Sequence, residues 1–260
     1  MTGFTPYHRA GSGTPLVLLH GFGDTWRTWE LVLPRLERHH DVLALTLPGH
    51  AGGPQIPDPV SADAMVELLD TALSEHHVPQ AHLVGNSLGG YLALRLAARN
   101  RATRVTALAP AGGWTQSKQA NKPIRLLGGV ARAAKTAAPR ADSLLATPEG
   151  RRNATMLTTV KYEHIPKELL VHQLLGLSAF TQSDALVDAA VRDGWALPAE
   201  QIDCPVRIIW GTEDKLLDWP AAAERFQTEL HAEWVVLDGV GHCPQLDVPA
   251  ETADLILSGR

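Results

Sequence analysis

A chain of 260 residues with 45% hydrophobic and 20% charged residues carries enough apolar material for one large core or two small ones, and leaves little for long disordered tracts. With 23 Lys and Arg against 28 Asp and Glu, a formal charge of -5 and no basic stripe, nucleic acid is not an expected partner. No run approaches the ~20 apolar residues of a membrane helix and no leader-like segment opens the chain, so a cytoplasmic location without a membrane partner is expected.

Short apolar runs at residues 16–19, 42–45, 82–84, 105–109, 206–210 and 233–237 are bounded by Gly, Pro or Asp and are too short for helices. They read as buried strands of a parallel sheet. Between them, residues 26–38, 62–76, 88–100, 221–230 and 250–257 carry helical spacing, with Ser61 and Pro220 placed where a helix would start. The progression is βαβ, hence an α/β fold with a mostly parallel central sheet flanked by helices.

The rhythm breaks over residues 113–198. That stretch is rich in Ala, Arg and Leu, is punctuated by Gly128-Gly129, Pro139, Pro148 and Pro166, and holds no strand-like run. The expected organisation is a core of residues 1–112 and 199–260 with an all-helical cap insertion at 113–198. Cys204 and Cys243, the two cysteines, are too few for a disulfide scaffold or a Cys-rich zinc site. The adjacent pairs His39-His40 and His76-His77 do not converge on one ion as ligands a helical turn apart do, so no metal is expected.

The chemistry concentrates in "HLVGNSLGGYLA". A strand that turns sharply into a helix at Gly85-Asn86-Ser87-Leu88-Gly89 forces strained angles on Ser87, and the glycines remove side chains that would clash. The Ser87 hydroxyl is thereby raised above the carboxyl end of the strand, beside a helix N-terminus. A serine hydroxyl alone is a weak nucleophile at neutral pH; it requires a base, and the base an orienting acid. "VRIIWGTEDKLLDW" supplies Asp214 just after a strand, and "EWVVLDGVGHCPQLDVP" supplies His242 after the next. Loops at the carboxyl ends of parallel strands gather on one sheet edge, so nucleophile, acid and base can meet there despite their separation in sequence. In "PLVLLHGFGDTW", the backbone N–H of Phe22 can join that of Leu88 in an oxyanion hole.

The motifs "HGFG", "LPGHAGG", "GNSLGG", "WGTEDKLLD" and "GVGHCPQLDVP" together resemble the α/β-hydrolase superfamily over about two thirds of the chain. The resemblance implies the α/β-hydrolase fold, a catalytic Ser87, Asp214 and His242, and oxyanion amides at Phe22 and Leu88. Thr46 departs from the Asp that many relatives place before the Pro-Gly turn, which bears on loop stability. Asn86 resembles hydrolases that cleave carbon–carbon bonds of vinylogous diketones, whereas Cys243 after the base is similar to esterases and enol-lactone hydrolases. The implied function is a cofactor-independent serine hydrolase that cleaves a small, fairly apolar carboxylic ester or lactone. Carbon–carbon hydrolysis, acyl transfer, cyclisation or isomerisation with the same residues are the alternatives, and a non-catalytic binding protein is a further one. Gly21-Phe22-Gly23 is followed by Trp26 instead of a third glycine, so no dinucleotide cofactor is implied. Asn86 and Trp114 are the candidate substrate contacts. The oligomeric state is left open.

Overall fold

Residues 3–258 are described by the computed structural model. The strands are β1 (Tyr7–Gly11), β2 (Thr14–Leu19), β3 (His40–Leu45), β4 (Ala81–Asn86), β5 (Ala102–Leu108), β6 (Val206–Gly211) and β7 (Ala232–Leu237), in spatial order β1-β3-β2-β4-β5-β6-β7. Every neighbouring pair is parallel except β1 with β3. The register sets Leu19 beside Gly85, Asn86 beside Leu108, and Gly211 beside Leu237. The loops that follow β2, β4, β6 and β7 therefore leave the sheet on one edge.

Both faces of the sheet are buried over its inner strands, which is why β2 to β6 read as continuous apolar runs instead of alternating ones. Val17, Leu19, Leu83, Ala107 and Ile208 belong to the larger core cluster, and Leu16, Leu18, Val84, Leu108 and Ile209 to the one on the opposite face. The helices covering them are α1 (Leu33–Leu36), α2 (Ala62–Glu75), α3 (Leu88–Ala97), α9 (Glu224–Glu229), α10 (Pro244–Asp247) and α11 (Pro249–Leu257); between β5 and β6 lie α4 (Ser117–Ala137), α5 (Ala141–Leu145), α6 (Pro148–Thr155), α7 (Lys167–Ser178) and α8 (Ser183–Asp193). The insertion is thus helical among the described residues. None of the described helices is long and apolar enough to cross a membrane.

Three expectations are corrected by local physics. The helix expected over residues 26–38 is a 3₁₀ turn, Trp26–Trp29, followed by the separate short α1, because Pro34 removes the amide a continuous helix would need. The helix expected from residue 221 starts at Glu224, and Pro220 lies in the preceding turn. In the insertion, α4 runs through Gly128-Gly129 without a break, and a Cβ at Gly128 would stand 3.5 Å from Val187 of α8. Ser61 does cap α2, its Oγ accepting from Ala64 N at 3.1 Å. Strand β1 is an addition: its sequence, Tyr-His-Arg-Ala-Gly, is half-exposed at the sheet edge and lacks the apolar signature of the buried strands.

Candidate active site

Ser87 sits between β4 and α3 with φ 55° and ψ -115°, a backbone conformation that costs a non-glycine residue about 1–3 kcal/mol. Its surroundings hold it there. Ser87 N donates to Leu108 O at 2.9 Å, while Ser87 O accepts from Tyr91 N and Ala111 N, both at 3.0 Å. A Cβ on Gly85 would collide with the Gly89 carbonyl, and one on Gly89 with the Leu19 and His20 carbonyls, so the turn admits glycine alone at both positions. Ser87 is 6% exposed and lines a largely apolar pocket.

Asp214 follows β6 and His242 follows β7, and the structure brings them together: His242 Nδ1 lies 2.7 Å from Asp214 Oδ2, with both side chains almost wholly buried. Asp214 Oδ1 accepts from Leu216 N at 2.9 Å and Leu217 N at 2.8 Å. With those donors fixing the carboxylate, Nδ1 is the protonated nitrogen of His242 and Nε2 is the basic one. Among the described residues, His242 Nε2 is buried and has no hydrogen-bond partner. The Phe22 and Leu88 amides likewise donate to no described group, and Phe22, Ser87 and Leu88 line the same pocket.

The loop carrying Phe22 is anchored by His20, which is buried completely. Leu47 N donates to His20 Nε2 at 2.8 Å, so Nδ1 carries the proton and donates to Gly21 O at 2.7 Å. Burial and the neighbouring His50 hold the His20 pKa well below the ordinary histidine range, consistent with a neutral structural ring. His50, pushed down to about 4 by burial, stacks 4.0 Å from Phe180 of the insertion, which in turn lies 5.0 Å from Phe22.

The pocket above Ser87 comprises about 700 Å³ including its mouth, and Trp114, Ile124, Leu127, Val187 and Trp195 contribute to its apolar wall. Asp193 is the one ionisable side chain among the described lining residues, and it is held by Arg192 at 2.6 Å. Trp114 therefore stands where a substrate contact was expected. Asn86 does not. Its Nδ2 donates to Leu108 O at 3.1 Å and to His242 O at 3.0 Å, and its Oδ1 accepts from Cys243 Sγ at 3.3 Å and Gln245 Nε2 at 3.2 Å. Fully engaged and 2% exposed, Asn86 steadies the loop that bears His242 and is not among the residues that line the pocket.

Two residues of α10, just after His242, escaped sequence reading. Gln245 is 0% exposed and bridges Asn86 to Thr28. Asp247 is 2% exposed; its carboxylate accepts from Gly241 N at 2.6 Å, Val160 N at 2.8 Å and Lys161 N at 2.7 Å, tying the His242 loop to the insertion. Their only sequence signal is polarity beside a histidine motif, which cannot tell an inward polar residue from a solvated one. Cys204 and Cys243 are both free, and no group of three His, Cys, Asp or Glu among the described residues is arranged to hold a metal ion.

The chain resembles known proteins over most of its length. The chain is 29% identical over 212 residues to epoxide hydrolase EphH of Mycobacterium tuberculosis, covering 76% of this chain and 94% of that one. It is 28% identical over 249 residues to the dihydrolipoyllysine-residue acetyltransferase component of the acetoin cleaving system of Pseudomonas putida, covering 95% of this chain and 63% of that longer protein. The enol-lactonase of Burkholderia xenovorans superposes with a TM-score of 0.72 at 18% identity, over 96% of this chain and 92% of that one. The model of the alpha/beta hydrolase family matches residues 16–255, nearly the whole length, and the chain belongs to that family.

Proposed function

We propose that this hydrolase cleaves a carboxylic ester or lactone of an uncharged, apolar acyl group through an acyl-enzyme on Ser87. The observation that carries the reading is one largely apolar pocket lined by Ser87, Phe22 and Leu88, the two latter with amides that donate to no described group, and the bonded pair Asp214 and His242 at the same sheet edge. Ser87 Oγ attacks the carbonyl carbon while its proton passes to His242 Nε2, and the Phe22 and Leu88 amides receive the oxyanion. The carbon–oxygen bond to the leaving group then breaks as His242 returns the proton to the departing alkoxide. Water repeats the sequence from the other side: it loses a proton to His242, attacks the acyl carbon, and releases the acid and free Ser87. Asp214 holds the His242 tautomer throughout and stabilises the imidazolium.

Two features weigh against the neighbouring chemistries. A serine that opened an epoxide would end as an ether, which water activated by histidine does not release, so the nucleophile at 87 favours acyl chemistry over the reaction in the name of EphH. The case for carbon–carbon cleavage came from Asn86, and that side chain is directed into the His242 loop. No described lining residue is a cation, which also favours an uncharged acyl group over one bearing a carboxylate. A series of p-nitrophenyl esters of increasing chain length, run beside lactones and vinylogous diketones, tests the reading. Highest kcat/KM is expected for uncharged esters or lactones with an aliphatic acyl chain; preference for the diketones would overturn it.

A further inference from the structure

The loop that presents the Phe22 amide is poorly fixed by its own backbone. Between residues 21 and 25 the one described main-chain bond is Asp24 N to Gly21 O, at a long 3.4 Å, and Gly23 adopts φ 80°, where the chain has most freedom. His20 Nδ1 holds the Gly21 carbonyl at one end of the loop; the rest is shaped by helix α7 of the insertion, seated along it by consecutive contacts. His172 Nε2 lies 3.0 Å from Thr25 Oγ1, and Gln173 Nε2 donates to Asp24 Oδ2 at 2.7 Å. Gly176 brings its backbone close enough that a Cβ there would stand 3.3 Å from Thr25 Cγ2, and Leu177 closes over Gly23. The other Asp24 oxygen, Oδ1, accepts from Thr25 N at 2.8 Å.

Asp24 is thus a two-sided bracket. One oxygen folds the loop on itself and the other takes the helix. Asp24 and Gln173 touch neither the scissile bond nor the pocket wall, yet the amide they restrain is two residues from Asp24. An oxyanion donor loses its value when displaced by a fraction of an ångström, since stabilisation depends on its being aimed before charge develops. His20 holds the Gly21 carbonyl of that peptide unit, and Asp24 with Gln173 holds the loop on the far side of Gly23.

We infer that Gln173 and Asp24 are a positioning pair, through which the seating of α7 sets the oxyanion geometry at Phe22. The inference rests on the acyl-enzyme reading above and extends it: the insertion acts on the rate of the chemical step as well as forming the pocket. Loss of the pair lowers kcat and leaves KM nearly unchanged, because the ground-state carbonyl makes little use of the hole.

The test compares wild type with Gln173→Leu, Asp24→Ala and the double variant. The probes are p-nitrophenyl butyrate and two inhibitors of equal chain length, a trifluoromethyl ketone that adds to the nucleophile and an unreactive methyl ketone. For Gln173→Leu, kcat is expected to fall between about ten- and a hundred-fold with KM within two-fold, as for a small misplacement of a catalytic group. Affinity for the trifluoromethyl ketone should fall by a similar factor while that for the methyl ketone holds, and the double variant should lose no more than Asp24→Ala alone. Gln173 is half-buried on the insertion, so its variant remains informative if Asp24→Ala does not fold. Unchanged kcat in Gln173→Leu, equal losses for both ketones, or losses that multiply in the double variant would overturn the inference and leave the hydrolytic reading standing. A wild-type protein that neither turns over the ester nor binds the trifluoromethyl ketone would overturn both.

Discussion

At the scale of single residues, the site depends on side chains that are missing. The positive φ of Ser87 is tolerated because three main-chain bonds hold it and because Gly85 and Gly89 leave room for the carbonyls they face. Gly89→Ala drives a methyl group into the Leu19 and His20 carbonyls, backbone that cannot step aside, and is expected to cost more than about 3 kcal/mol or to prevent folding. Gly129→Ala is its control. That glycine lies within α4 with open space where a Cβ would go, so the same change there should stabilise the protein by up to about 1 kcal/mol. Thermal unfolding of the two variants should move in opposite directions, and equal shifts would refute the steric account.

At the scale of elements, the contact of α7 with the loop after β2 holds two titrating groups that act in opposite senses. Burial raises the Asp24 carboxyl from 3.8 to about 6 and depresses His172 from 6.5 to about 4. The folded-state pKa of Asp24 lies above its unfolded value, so its contribution to stability is fully present below the unfolded value and is lost as pH rises from about 4 to 6. Asp24→Asn has no proton to lose and should gain on wild type across that window, by up to about 3 kcal/mol. His172 behaves oppositely, losing stability as pH falls from about 6.5 to 4, but is common to both chains and cancels in the difference. Denaturant unfolding of the two proteins between about pH 4 and 7 measures the gap; parallel profiles would exclude the assignment.

Elements also mark where sequence reading succeeds and where it stops. The buried strands were legible because burial on both faces of a parallel sheet demands uninterrupted apolar runs, and α2 because Ser61 caps a clean amphipathic pattern. Strand β1 was not, because an edge strand can be built from polar residues once β3 offers it a register. The continuity of α4 through two glycines is a tertiary effect: α7 and α8 pack along it and override local propensity. Asn86 was expected against substrate on its resemblance to carbon–carbon bond hydrolases, but a resemblance does not set the direction of a side chain, and this one bonds to the carbonyls of Leu108 and His242.

At the scale of the whole molecule, the sheet edge was readable and its cover was not. Ser87, Asp214 and His242 each follow a recognisable strand, and a parallel sheet delivers such loops to one edge whatever lies between them. The insertion carries no comparable rule: which of its side chains face the pocket depends on how α4, α7 and α8 settle over that edge, and no local pattern encodes it. The central claim is that this edge forms a covalent acyl intermediate on one serine. Intact mass and peptide mapping after mixing the protein with p-nitrophenyl butyrate test it most directly, using wild type, Ser87→Ala and His242→Ala. The account predicts a butyryl adduct confined to the Ser87 peptide, absent from Ser87→Ala, together with loss of turnover in both variants. Turnover retained by Ser87→Ala, or an adduct on another residue, would contradict it.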